Sequence, residues 1–483
     1  MNAFITLIHG GPLRPRSTPD RVTASSPADY VLPEVTADQQ PLARAWLWLG
    51  LASLIGSGLF SVLLVLARTP GINAWLPAGD FFRVALVVHV DLSVLVWFIA
   101  IAGLLWSLNL RGARTPRGIA IGRLTLALCG LGALGMALAA FVDPGTPLMA
   151  NYIPMLDSAT FRAAVLVFGA GALLLMLRSL VQARPVGPAV DGAGALRFGL
   201  SASVVATAVA LLAFAASLAL VPADLPPKAY YEILFWGGGH ALQFTWTLLM
   251  LVAWLTLAQA CGGRVPLSPR VVLLLFALAL ASVFITPLAY LAHDVTTVEH
   301  RDMHTWGMRF GGGLAIAPVA LAVLLALAPL RRLGEVQRPL RAALLASMLL
   351  FVAGGVIGLT IHGSNVKIPA HYHGCIVGVT LALMGLVYHL LPQLGYGTAR
   401  GRVAVLQPWL YGLGQLLHIV GLVWSGGYGV QRKVAGAEQV LRSAGEVAGM
   451  GLMGLGGLLA IAGGLLFVVV VVGAMRRRAP TTA

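Results

Sequence analysis

Hydrophobic positions along this chain do not fall into the narrow stripes of an amphipathic surface helix. They form long runs separated by short polar gaps. A run of about 20 apolar residues is long enough to cross a bilayer as a helix. The sequence therefore predicts twelve spans, at about 43–67, 80–106, 119–142, 161–182, 197–221, 230–257, 270–293, 308–330, 340–362, 371–394, 404–425 and 446–474. The expected fold class is an all-α integral membrane bundle of twelve transmembrane helices. Residues 1–41 are rich in proline and polar groups and lack the short apolar core of a signal peptide, so a flexible cytoplasmic segment is expected there. The helical domain is expected at 42–475 and a basic tail at 476–483.

Composition agrees: 58% of residues are hydrophobic and 10% charged, with a mean hydropathy of +0.87, against ~25% charged in soluble domains. The net charge of +15 would suggest a nucleic-acid partner if the cations were spread evenly. They are not. Arginines precede span 1 (Arg14, Arg16, Arg21) and fill the gaps 2–3 (Arg111, Arg114, Arg117), 4–5 (Arg178, Arg184) and 6–7 (Arg264). They continue in the gaps 8–9 (Arg331, Arg332, Arg338) and 10–11 (Arg400, Arg402) and after span 12 (Arg476 to Arg478). That alternation is the positive-inside rule over an even number of spans, which places both termini in the cytoplasm and removes nucleic acid as a partner. Lys228, Lys367, Arg432 and Lys433 are exceptions on the opposite side. Cys129, Cys261 and Cys375 show no CxxC spacing, so neither a disulfide framework nor a zinc site is suggested.

Ionisable side chains in hydrocarbon are expensive and mark function. Counting depth along the spans puts five histidines from four helices in the outer part of the bilayer: His89, His240, His293, His371 and His373. In His371-Tyr372-His373 the two imidazoles point about 200° apart at ~100° per helical residue, so each serves a different site. His389 and His418 lack partners at matched depth and are expected as core histidines.

Twelve spans with histidines on spans 2, 6, 7 and 10 resemble the catalytic subunit I of the heme-copper oxidase superfamily over residues 43–474. The most specific stretch is IPAHYHGCIVGVTLALMGLVYHLLP at 368–392, similar to the B-type branch. The resemblance implies two hemes, b-type by expectation, and one non-heme metal, Cu or Fe. His89 and His373 would be the axial ligands of a low-spin heme, and His371 the proximal ligand of a high-spin heme. His240, in Gly237-Gly238-Gly239-His240, would bind the second metal with His293, and Arg432 and Lys433 would hold heme propionates.

Two positions depart from the oxygen-reducing pattern. Where those members carry two adjacent histidines after span 7, this chain has His293-Asp294, so Asp294 is expected as the third ligand, with His300 or His304 as alternatives. Two histidines and a carboxylate suit non-heme iron while still allowing copper. The tyrosine one turn after the span-6 histidine is replaced by Phe244, with Gln243 beside it; Tyr290 on span 7 is the nearest substitute in sequence. Loss of that phenol points to nitric oxide reduction, 2 NO + 2 e⁻ + 2 H⁺ → N₂O + H₂O. The alternatives are a terminal oxygen reductase (cytochrome c oxidase) or, in another class, a heme-binding electron carrier or transporter. With no CxxCH heme site or copper-binding cysteine pair in the chain, a second subunit or a cytochrome c or cupredoxin-like donor on the outer side is expected. Glu299 and Asp302, in the outer loop before span 8, are the expected proton entry. The setting is the bacterial inner membrane.

Overall fold

The computed structural model describes residues 29–72, 79–111, 115–188, 190–435 and 438–477. The expectations for the N-terminal lead up to residue 28, for Arg114 and for the tail from Arg478 lie outside the described residues.

Among the described residues, twelve helices are long and apolar enough to cross a membrane. They are Gln40–Arg68, Phe81–Leu108, Pro116–Val142, Ala159–Gln182, Gly192–Leu220, Pro227–Ala260, Pro269–Ala292, Val298–Leu327, Gln337–Leu359, Lys367–Leu390, Arg402–Gly427 and Ala444–Met475, spans 1 to 12 in order. Half of the starts carry a side-chain cap legible in sequence. Thr115, Ser158, Asp191, Ser268 and Thr297 each accept a backbone N–H from the first turn, and Ser443 with Glu446 forms a capping box.

Burial separates the spans into a centre and a rim. Of its most apolar window, span 6 buries 94%, span 10 78% and span 2 67%, whereas the other nine bury between 28% and 44%. A helix apolar on all sides belongs inside the bundle. The three central helices are those carrying His240, His371 with His373, and His89.

Three spans are irregular near functional positions. Span 2 turns π-helical over Asp91–Val96, directly after His89, as such bulges often do at sites. Span 7 breaks at Phe284 and span 8 at Gly312. Between spans 3 and 4 a two-stranded hairpin pairs β1 (Thr146–Leu148) with β2 (Met155–Asp157) on the arginine-poor end of the bundle.

Spans 11 and 12 approach backbone to backbone through glycines. A Cβ on Gly414 would lie 2.5 Å from the Ala460 nitrogen, on Gly421 2.4 Å from that of Met453, and on Gly456 2.3 Å from that of His418. Close approach through small residues replaces the hydrophobic drive that lipid cannot supply. Gly421→Val should therefore part the two spans and cost about 1–3 kcal/mol, read as a lowered melting temperature in detergent. Gly451→Val, at a position with no atom within 4 Å, should melt like the wild type.

Candidate metal centre

His89, His240 and His371 each have one ring nitrogen tied to a carbonyl oxygen. His240 Nδ1–H donates to the Trp236 oxygen one turn back at 2.8 Å, and His371 Nδ1–H donates to the Gly354 oxygen on span 9 at 2.8 Å. His89 Nδ1–H faces the Ser57 carbonyl at 3.0 Å and the Ser57 hydroxyl at 2.9 Å. The tautomers follow from these partners. At His89 and His371 this leaves Nε2 to a ligand, the arrangement expected of a metal-binding imidazole whose second nitrogen is fixed; at His240, Nε2 has a hydrogen-bond partner of its own.

The divergence expected of His371 and His373 is present. His371 turns to span 9, where a Cβ on Gly358 would lie 2.7 Å from its Nδ1. His373 turns to span 11, its ring 5.0 Å from that of His418. His418 had been expected to stand alone in the core. It is a buried core imidazole donating from Nδ1 to the Met453 oxygen at 3.0 Å, and it also lies beside a residue expected to bind heme. His389 is buried near the far end of span 10.

Around His240 the structure gathers a different set from the one expected. Span 8 begins at Val298, ten residues before the apolar run at 308, because Thr297 caps it by accepting from His300 N–H. This polar first stretch carries His300 and His304 one turn apart, both 1% exposed. The His304 ring is 5.7 Å from His240 and 4.7 Å from His300, centroid to centroid. His304 Nδ1–H donates to the His300 oxygen at 2.8 Å, while His304 Nε2 and both His300 nitrogens are buried without partners. Orphaned buried nitrogens mark an absent ligand, so three imidazoles fit a metal here. Among the described residues no three His, Cys, Asp or Glu side chains yet close on one point.

His293 and Asp294 are not part of this cluster. His293 is partly exposed at the end of the short helix Ile285–Ala292. Asp294 is exposed, and its carboxylate accepts from Thr296 N–H at 2.8 Å and the Thr296 hydroxyl at 2.6 Å, bonds that hold it below the usual carboxylate range. Its side chain makes the turn that launches span 8. Both residues remain near enough for their charges to act on His300. Glu299 and Asp302 are exposed on the same helix.

Phe244 is buried, its ring tip toward Gly311 on span 8. The Tyr290 ring stands edge-on to His300 at 4.7 Å, but its hydroxyl is bonded to Ser217 at 2.6 Å and to the Ala213 oxygen at 3.1 Å. The phenol that reaches the centre is one that no motif or periodicity singles out. Tyr152, in the loop between β1 and β2, donates its hydroxyl to His240 Nε2 at 2.9 Å. Burial, then the nearby Glu232 charge, push this phenol well above its ordinary range and keep it a donor.

The triple glycine before His240 is the room for these neighbours. A Cβ on Gly237 would lie 2.5 Å from the Tyr290 hydroxyl and 3.0 Å from His304 Nε2, on Gly238 2.3 Å from Phe214, and on Gly239 2.2 Å from the Tyr152 ring.

Arg432 and Lys433 meet the same hairpin. Both approach Asn151 Oδ1, at 3.4 and 3.5 Å, and the Lys433 ammonium also donates to the Met149 oxygen. Asn151 N–H donates to Glu232 at 2.9 Å, and its side-chain amide bonds the same carboxylate. Burial and the Arg432 charge lower the Lys433 amine to about 8. Tyr152 and Lys433 are the non-glycine residues with positive φ among those described, at 67° and 63°. Such backbones cost about 1–3 kcal/mol each and persist where surrounding structure holds them.

A sequence profile of the family described as cytochrome c and quinol oxidase polypeptide I matches residues 41–475. An uncharacterized protein of Rickettsia prowazekii is 28% identical, covering 88% of this chain and 94% of its own length. Another from Aquifex aeolicus is also 28% identical, over 74% and 86%. Cytochrome c oxidase subunit 1 of Thermus thermophilus is 25% identical over 41% of this chain and 40% of its own. A solved heme-copper terminal oxidase dimer superposes with a TM-score of 0.70 at 17% identity, covering 92% of this chain and 86% of that one, a likeness of fold.

If His240, His300 and His304 form the metal set, His300→Ala and His304→Ala should lose the non-heme metal by more than the about 10–100-fold typical of an outer-shell change. Asp294→Asn should retain it. Metal analysis per heme on purified protein distinguishes the two sets.

Proposed function

The chain belongs to the cytochrome c and quinol oxidase polypeptide I family, and from that membership we propose that it reduces nitric oxide to nitrous oxide, 2 NO + 2 e⁻ + 2 H⁺ → N₂O + H₂O. It is an oxidoreductase of the heme-copper oxidase superfamily and an integral membrane protein. The observation that carries the choice of gas is Phe244. The residue one turn below His240 can supply neither an electron nor a proton, and a two-electron reaction needs no protein radical.

His89 and His373 would hold the low-spin heme and His371 the high-spin heme, with Arg432 and Lys433 at the propionates. His240, His300 and His304 would hold the second metal, copper or iron. When bound, these groups would relay electrons from the donor and supply the redox chemistry that reduces the gas. The chain's own contribution is orientation. Backbone carbonyls fix the rings of His240, His304 and His371, and the closely packed span 6 keeps water from the centre. Glu299 and Asp302, exposed one residue before and two residues after His300, are suited to deliver protons from the arginine-poor face. We place that face outside the bacterial inner membrane, both termini in the cytoplasm, with the electron donor or a second subunit docking outside.

Oxygen reduction is the second reading, and Tyr152 favours it, because a phenol does stand at His240 although position 244 has none. An electron carrier needs only His89 and His373 and leaves the three-imidazole cluster unexplained. Purified enzyme with an artificial donor should consume NO without air and release one N₂O per two electrons. Rapid O₂ consumption with no N₂O would overturn the assignment. Replacing Glu299 and Asp302 together by Gln and Asn should slow NO turnover, and an unchanged rate would remove them from the proton route.

A further inference from the structure

The metal set above leaves one polar group at the centre unassigned: the Tyr152 hydroxyl. It arrives from outside the helical bundle, on the hairpin between spans 3 and 4, and reaches the nitrogen that a metal would use. We propose that Tyr152 is the oxygen ligand of the second metal, delivered by the hairpin to complete a site of three imidazoles and one phenolate oxygen.

Geometry carries the argument. His240 Nδ1 is committed to Trp236, so Nε2 is its only free donor, and Tyr152 now fills that lone pair at 2.9 Å. One lone pair cannot both accept an O–H hydrogen bond and bind a cation. Metal entry must break the bond, and the oxygen held there then presents its own lone pairs to the ion. As the metal–oxygen bond forms, the O–H bond breaks and its proton leaves to water; no electron is transferred.

Three further features hold the oxygen in place. The Tyr152 backbone is fixed at a φ of 67°, unfavourable for a non-glycine residue. Its ring lies where Gly239 alone leaves space. The preceding residue, Asn151, is bonded to Glu232 at the start of span 6 and to Arg432 and Lys433 from the loop between spans 11 and 12. A hairpin anchored from two separate parts of the bundle is positioned for an ion rather than left as a surface loop. An anionic oxygen beside three imidazoles is a hard donor and weights the site toward iron over copper.

This proposal rests on the three-histidine metal set, and its test separates the two. Oxidised, metal-loaded holoprotein is purified as wild type, Tyr152→Phe, Asn151→Ala and His304→Ala, with the low-spin heme spectrum confirming the fold of each. The wild type should show phenolate ring modes in its resonance Raman spectrum, shifted when the cells are fed ring-deuterated tyrosine. Tyr152→Phe should lose those modes and retain the non-heme metal at least about tenfold more weakly. Asn151→Ala, which frees the hairpin but keeps the phenol, should weaken both signals. If His304→Ala loses the metal while Tyr152→Phe keeps it with an unchanged spectrum, the metal set stands and the phenolate ligand is wrong. If His304→Ala also keeps its metal, both are wrong.

Discussion

An imidazole placed in hydrocarbon must satisfy two nitrogens, and this bundle meets that demand in the same way repeatedly. Nδ1–H is given to a carbonyl oxygen: Ser57 for His89, Trp236 for His240, His300 for His304, Gly354 for His371 and Met453 for His418. An unmatched polar group costs several kcal/mol in lipid, so these bonds fix which way each ring turns before any cofactor is considered. The second nitrogen is then aimed by the first. Spans 2, 6 and 10 offer their rings from the most deeply buried helices, whereas His304 and His418 reach the dry interior from one face of spans 8 and 11.

The same demand explains the glycines. At Gly237, Gly238 and Gly239 any side chain would occupy space held by Tyr290, Phe214 and Tyr152, so the run is an absence of side chains shaped by three neighbours. Spans 11 and 12 use the device at longer range, their glycines letting His418 come close to span 12 through its own backbone.

Much of this was legible in the sequence, and the failures are physical. All twelve spans stand out because apolar runs of bilayer length have no other stable use. The opposite orientation of His371 and His373 follows from helical geometry alone. His300 and His304 were underweighted because hydropathy begins span 8 at 308, while the helix begins at Val298 on a Thr297 cap; a polar first turn depresses the average without ending the helix. Asp294 occupies a histidine's place in the family pattern, yet an aspartate two residues before Thr296 also makes an Asx-turn, and in this structure that turn holds the carboxylate. Tyr152 could not be found by periodicity, since a loop residue with positive φ belongs to no repeating pattern. The contact of His418 with His373 is not legible in the sequence because depth along separate helices does not reveal which helices adjoin.

The bond between Tyr152 and His240 has a meaning for the life of the protein before it works. A vacant metal site of bare imidazoles would leave unpaired lone pairs inside the membrane and would bind the first adventitious ion to reach it. Here a side chain of the chain itself holds the key nitrogen. With that nitrogen satisfied the bundle packs around no orphaned acceptor at His240, and under the phenolate proposal metal loading would be an exchange of a proton for an ion. Under that proposal the loop between spans 3 and 4 would be a placeholder first and part of the centre afterwards.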